Sequence, residues 1–306
     1  MLIFFVVLAT LLTLPVLLLW AFGERGRFLS STWRLFREAR FRPSALHAYV
    51  YGRWTNRYVK TLFQLPLAPT TSAGELRFAD TYHGKVLTHD HACSIVTLDR
   101  DIPLRDLEQI VPYPLARNLV LHAPTDVVAF ECACRHGRAT HCEPTQVCMV
   151  IGQPFTDFVL DHQPDKARRL TQAEALDLLE AEHLRGHLHS AWFKDAMMNR
   201  FYAICNCCKC CCGGIAGMVN RGVPMMAASG YVAERNAELC AHCDECIEAC
   251  PFHALAKTTD GVALDWDRCM GCGVCGVKCA AGAISLVRDE RKGIPLDVRA
   301  LQSQVS

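Results

Sequence analysis

The sequence predicts an α+β protein in three parts: a single amino-terminal transmembrane helix, a cysteine-rich α+β domain, and a carboxy-terminal domain built on a repeated cysteine motif. Three observations carry this expectation. Residues 1–22 hold no charged side chain, 19 of the 306 residues are cysteine, and a four-cysteine motif that starts at Cys240 starts again at Cys269.

The amino-terminal run "MLIFFVVLATLLTLPVLLLWAF" has enough residues, at about 1.5 Å rise each, to cross roughly 30 Å of hydrocarbon. Pro15 kinks such a helix without forbidding it. The flank that follows is basic: Arg25, Arg27, Arg34, Arg37, Arg40, Arg42, Arg53, Arg57 and Lys60 stand against only Glu24 and Glu38. By the positive-inside rule that flank stays in the cytoplasm. A cleaved signal peptide would place its basic residues first and end on small ones, and neither feature is present. The expectation is an uncleaved single-pass anchor in the cytoplasmic membrane over 1–23, with the soluble domains on the cytoplasmic side. Nineteen cysteines then point to metal binding, because disulfides belong to oxidising compartments.

Residues 24–74 read as a basic juxtamembrane helix and linker. Phe28, Leu29, Trp33, Phe36 and Phe41 follow helical spacing among arginines, which suits a helix at an anionic membrane surface or one packed on its own domain. "LPLAPTTSAG" at 65–74 has linker composition. From 75 to 230, "ELRFA", "GKVLT", "SIVTL" and "DVVAFE" read as short strands, and "IPLRDLEQIV" as a helix begun by Pro103. Thr171 and Glu174 form a capping box that opens a helix ended by Gly186. The balance of 32 basic against 31 acidic residues, for a formal charge of +1, excludes a global nucleic-acid signature. There is also no C-x-x-C-H haem motif, no phosphate-binding lysine loop, no G-x-G-x-x-G after a strand and no nucleophile elbow.

The chemistry sits in the cysteines. "CAHCDECIEACP" supplies Cys240, Cys243, Cys246 and Cys250 as C-x2-C-x2-C-x3-C-P, and "CMGCGVCGVKCA" supplies Cys269, Cys272, Cys275 and Cys279. Residues 231–288 therefore resemble a bacterial-type ferredoxin carrying two [4Fe–4S] clusters, with 289–306 as a tail. The resemblance implies that the fourth cysteine of each motif crosses to the other cluster. Cys240, Cys243, Cys246 and Cys279 would then hold one cluster, and Cys269, Cys272, Cys275 and Cys250 its neighbour. Ala280 stands where the family has a second proline, a position that ligation does not need.

Eleven cysteines remain: Cys93, then Cys132, Cys134, Cys142 and Cys148, then Cys205, Cys207, Cys208, Cys210, Cys211 and Cys212 within eight positions. Neighbours on an extended chain face opposite ways, so the crowded six cannot all reach one small ion, but they can feed two sites. Pooled with 132–148 they make ten, enough for two further iron–sulfur clusters, with Cys132, Cys134, Cys142 and Cys148 as the first choice of ligands. Arg135, His136, Arg138, His141 and Lys209 offset thiolate charge. "CxCR" followed by "CNCCxCCC" resembles an uncharacterised group of bacterial ferredoxin-fused iron–sulfur proteins over roughly residues 80–290. An open-coordinated catalytic cluster and structural zinc are the alternatives for this region.

His83, His89, His91 and Cys93, and separately His183, His187 and His189, read as surface or helix-end groups. The functional expectation is a membrane-anchored iron–sulfur protein that relays single electrons between redox partner proteins. The rival is a reductase whose 132–212 region binds substrate at an open cluster.

Overall fold

Alternation of side chains organises the centre of the molecule. Val128, Phe130 and Val150 enter one buried cluster, while Val127, Ala129, Met149 and Ile151 enter another. Successive residues of a strand face opposite sides, so these two strands are covered on both. The computed structural model describes residues 2–21, 24, 29–64, 72–104, 107–115, 118–259 and 261–305.

Strands β1 (Tyr82–Leu87), β2 (Ile102–Leu104), β3 (Leu119–Leu121), β4 (Val127–Glu131), β5 (Gln146–Ile151), β6 (Ala167–Leu170), β7 (Leu188–Lys194), β8 (Arg200–Cys207) and β9 (Met226–Ala227) lie in the first three-quarters of the chain. Seven of them form one sheet in the order β6-β4-β5-β8-β7-β1-β9. Its pairings are antiparallel except β1 with β9. β2 and β3 make a separate ribbon. Beyond them, β10 (Tyr231–Arg235) pairs with β13 (Ile284–Arg288), and β11 (Leu255–Thr258) with β12 (Gly261–Leu264), all antiparallel.

The described residues form thirteen helices. α1 (Leu2–Ala21), α2 (Ser30–Glu38), α3 (Pro43–Arg53), α4 (Thr55–Gln64) and α5 (Ser72–Thr81) come first. α6 (His89–Val96), α7 (Ala133–His136), α8 (Phe155–His162), α9 (Gln172–Leu184) and α10 (Gly213–Arg221) are set between strands of the sheet domain. α11 (Glu245–Ala249), α12 (Val274–Val277) and α13 (Val298–Val305) follow. Leu35, Tyr49, Phe158 and Ile215 bring α2, α3, α8 and α10 onto one face of the sheet. Ala92, Ile95, Leu179, Val298 and Leu301 bring α6, α9 and α13 onto the other. The expected capping box opens α9: Thr171 Oγ1 accepts from the Glu174 amide and Glu174 Oε2 from the Thr171 amide.

The α+β class holds, but the transmembrane helix does not. Among the described residues no helix is long and apolar enough to cross a membrane, which corrects the anchor expected over 1–23 and the single-pass location in the cytoplasmic membrane. α1 exposes Ile3, Phe4 and Leu11 and contains Pro15.

The basic segment packs on the protein itself. Leu35 of α2 is buried, and Arg34 pairs with Asp157 of α8 at 2.9 Å. Of the expected linker, 65–71 lies outside the described residues, and 72–74 belongs to α5. "ELRFA" and "SIVTL" are not strands: the first lies in α5, and Ser94–Val96 of the second in α6. Pro103 sits in strand β2 rather than at a helix start. Short apolar runs carry too little periodicity to separate the two states.

Candidate iron–sulfur centres

Strand register gathers six thiols. Phe130 of β4 pairs with Cys148 of β5, and Met149 pairs with Ile204 of β8, so Cys132, Cys148 and Cys205 share the face of Phe130 and Val150. Cys207, two residues along β8, shares it too. Cys134 in α7 and Cys212, the N-cap of α10, complete the group. Thiol–thiol contacts run from Cys132 to Cys134, Cys212, Cys207, Cys205, Cys148 and back to Cys132. Six cysteines from α7, β5, β8 and α10, with Cys132 the N-cap of α7, form a closed ring.

The other four upstream cysteines meet beside it. Cys142, Cys208, Cys210 and Cys211 bring their sulfurs within 4.8 Å of one another, with Cys142 to Cys210 at 2.6 Å and Cys210 to Cys211 at 3.3 Å. The fold thus parts Cys142 from Cys132, Cys134 and Cys148, and divides the ten cysteines six and four. Cys207 and Cys208, adjacent in sequence, go to different sites.

One thiol in each group is shifted toward the thiolate, while burial and neighbouring thiols push the other eight up. Hydrogen bonds from Cys205 and Cys212 pull the Cys207 pKa down to about 6, whereas the contact with Cys148 pushes Cys205 well up. Burial pushes Cys208 up, but the Arg135 guanidinium and hydrogen bonds from Cys211 and Cys210 more than offset it. The Gly213 amide, at the start of α10, donates to Cys134 Sγ at 3.4 Å. A helix amino terminus favours negative charge there. Gly214 allows α10 this close, because a Cβ would stand 2.7 Å from the Trp192 ring.

The ring forms one wall of a cavity of about 230 Å³. Tyr51, Phe78, Tyr82, Trp192, Tyr202 and Met225 line much of the remainder. The donors are soft sulfur in an apolar setting, a set that fits an iron–sulfur cluster better than a hard cation.

The carboxy-terminal cysteines sit in two matching halves. The Ala254 amide donates to Cys250 Sγ at 3.3 Å, and the Ala283 amide, at the corresponding position of the repeat, to Cys279 Sγ at 3.2 Å. His242, Asp244 and His253 have positive φ, as do their counterparts Gly271, Gly273 and Gly282. Gly271 has a second constraint, since a Cβ would fall 2.1 Å from the Tyr231 carbonyl. Burial raises Cys246, with Cys279 and Cys243 adding to it. Burial also raises Cys272, and takes Cys275 up to about 12, with Cys250 and Cys269 adding to both. Cys250 therefore lies with the second motif and Cys279 with the first, and Cys240 is at the loop edge beside Arg235. Ala280 is exposed, whereas Pro251 at its counterpart position is buried.

The two regions touch at their cysteine loops. Lys209, between Cys208 and Cys210, donates to the Glu248 carbonyl at 2.7 Å, and Glu248 lies between Cys246 and Cys250. Lys278, beside Cys279, donates to the Leu184 carbonyl at 2.8 Å. Cys207, Cys212, Cys246, Cys250, Cys269 and Cys275 belong to one continuous buried cluster.

In the sequence Arg135 reads only as a nearby cation. In the fold it is fully buried between the two upstream cysteine groups, paired with Glu182. Asn206, between Cys205 and Cys207, carries no motif signal, and its side chain faces the opposite side of the sheet.

Residues 233–256 match the 4Fe-4S binding domain family. The chain is 31% identical over 100 residues to hydrogenase-4 component A of Escherichia coli, covering 29% of this chain and 48% of the relative. It is 45% identical over 49 residues to a tetrathionate reductase subunit of Archaeoglobus fulgidus, covering 15% and 24%. Identity to formate hydrogenlyase subunit 2 of Escherichia coli is 27% over 113 residues, covering 34% and 54%. The chain spans about half or less of the length of these relatives.

Proposed function

We propose that this protein is an iron–sulfur electron-transfer subunit of an oxidoreductase system. Single electrons pass between a redox partner and a second donor or acceptor through the two ferredoxin-type clusters, the four-cysteine site and the six-thiol site. The contact of Lys209 with Glu248 carries the reading, because it joins the loop of the four-cysteine site to the loop that holds Cys246 and Cys250. The names of the relatives, components of a hydrogenase, a formate hydrogenlyase and a tetrathionate reductase, support a partner of that class. The "CxCR" and "CNCCxCCC" pattern keeps its resemblance to ferredoxin-fused iron–sulfur proteins.

Iron and acid-labile sulfide per chain on anaerobically purified protein, with low-temperature electron paramagnetic resonance of the reduced sample, test this. About sixteen irons or more with interacting signals is the expected result. About eight would confine clusters to the carboxy-terminal domain and overturn the relay.

The cavity beside the thiol ring favours a second reading, a reductase that takes substrate there. Carbon monoxide or cyanide added to reduced protein should then alter one cluster signal. Signals indifferent to both ligands would leave the relay alone.

A further inference from the structure

On the face of the sheet opposite the thiol ring, three histidines from three elements meet. His89 opens α6, His183 lies near the end of α9, and His189 is in β7 opposite Asn206 of β8. Each offers a nitrogen within 4.8 Å of the others. The His183 ring stacks on His89 with centroids 4.2 Å apart.

Hydrogen bonds determine which nitrogens face inward bare. Asn206 Nδ2 donates to the Val147 carbonyl at 2.7 Å, which turns Oδ1 toward His189 Nδ1, 2.6 Å away. His189 Nδ1 must carry a hydrogen to make that bond, leaving Nε2 a lone pair. His89 Nε2 lies 3.1 Å from Glu180 Oε2 and donates to it, leaving Nδ1 a lone pair. These two nitrogens stand 3.2 Å apart. Two lone pairs at that distance repel unless a cation lies between them.

We propose that His89, His183 and His189 bind one zinc ion through His89 Nδ1, His189 Nε2 and a nitrogen of His183. Zinc–nitrogen bonds of about 2.0–2.1 Å in a tetrahedral site set two ligand nitrogens roughly 3.3 Å apart, close to the spacing observed. A shared proton would need only two imidazoles, whereas zinc uses the third. Glu180 and Asn206 take the role of outer partners that orient ligating histidines through their second nitrogens. Cys93 Sγ approaches His89 Nε2 at 3.5 Å, on the side of the ring turned away from His189, and so is not a ligand. The ion ties α6 and α9 to the β7–β8 pair at Asn206, directly behind Cys205 and Cys207. A fourth position is left for water.

The site does not depend on the electron-relay reading. Full-length protein purified anaerobically with zinc in the medium should hold about one zinc per chain. Its zinc absorption edge should show a first shell of nitrogen near 2.0–2.1 Å. His183→Ala should lower zinc from about one per chain to near none with iron per chain unchanged. Glu180→Ala, at a partly exposed position that perturbs packing little, should weaken zinc affinity about tenfold in chelator competition. No retained zinc would overturn the proposal and leave a proton between His89 and His189. A sulfur shell near 2.3 Å would also overturn it, placing the zinc on cysteines.

Discussion

Arg135 and Glu182 form an ion pair of 2.8 Å in which neither side chain reaches solvent. Arg135 lies between the two upstream cysteine groups and also donates to the Pro144 and Asn206 carbonyls. Glu182 additionally accepts from Arg185 at 2.6 Å and pairs with His187 at 2.7 Å. Burial costs each ion several kcal/mol, which the partner offsets only while both are present. Glu182→Leu should destabilise the protein by about 3–5 kcal/mol, read as a lower urea midpoint under anaerobic conditions. Arg135→Leu added to it should recover much of that loss. A single variant within about 0.5 kcal/mol of wild type would show that solvent reaches the pair.

The division of the cysteines predicts which losses belong together. Cys142→Ser and Cys211→Ser should each remove the same cluster, about four irons, and the double variant should lose no more than either alone. Cys142→Ser with Cys148→Ser should lose the sum, because the two belong to different groups. Iron and sulfide counts decide it. Additive loss for Cys142 with Cys211, or shared loss for Cys142 with Cys148, would break the six-and-four division.

Legibility in the sequence follows the range of the interactions involved. The doubled C-x2-C-x2-C-x3-C motif was readable because three ligands of each half lie within one short loop. The box of Thr171 and Glu174 was readable for the same reason. The grouping of the upstream ten was not, because it depends on β4, β5 and β8 lying side by side, and nothing near Cys132 announces that Cys205 is across the sheet. Histidines misled in the same way. In sequence His83, His89 and His91 lie far from His183, His187 and His189, while the fold joins one of the first run to two of the second. His83 instead stacks on Tyr113, and His187 binds Glu182.

Lys85 of β1 is buried, and among the described residues no carboxylate lies within ion-pair distance. Burial first, and then Arg288, pulls its pKa down to about 7. The unfolded chain binds more protons than the folded one between pH 7 and 10.5, so stability rises with pH through that window. Lys85→Met keeps the length and removes the ammonium. It should stabilise the protein by about 4 kcal/mol at pH 7.5 and flatten the rise. Urea midpoints of the two proteins from pH 7 to 10 check this, and a destabilised variant would mean that Lys85 has a partner worth more than its burial costs.

His162 of α8 titrates with the same sign in a lower pH window. It sits beneath Tyr49 and Phe158, accepting or donating at Thr32 Oγ1 (2.7 Å), with Arg53 3.2 Å from its other nitrogen and Glu24 at 3.5 Å. Burial pushes its pKa down to about 4; Glu24 opposes the shift and Arg53 adds to it. Folded His162 thus resists a proton that the unfolded chain accepts below about pH 6.5. The stability this confers is whole above pH 6.5 and drains away as the pH falls toward 4, reaching about 2 kcal/mol lost at pH 5. His162→Gln keeps a donor and an acceptor but cannot titrate. The difference in unfolding free energy between wild type and variant should therefore shrink by about 2 kcal/mol from pH 7 to pH 5. Curves that stay parallel across that range would mean that the folded pKa of His162 equals the unfolded one, with Glu24 balancing burial and Arg53, and a difference that widens toward pH 5 would mean that Glu24 outweighs them.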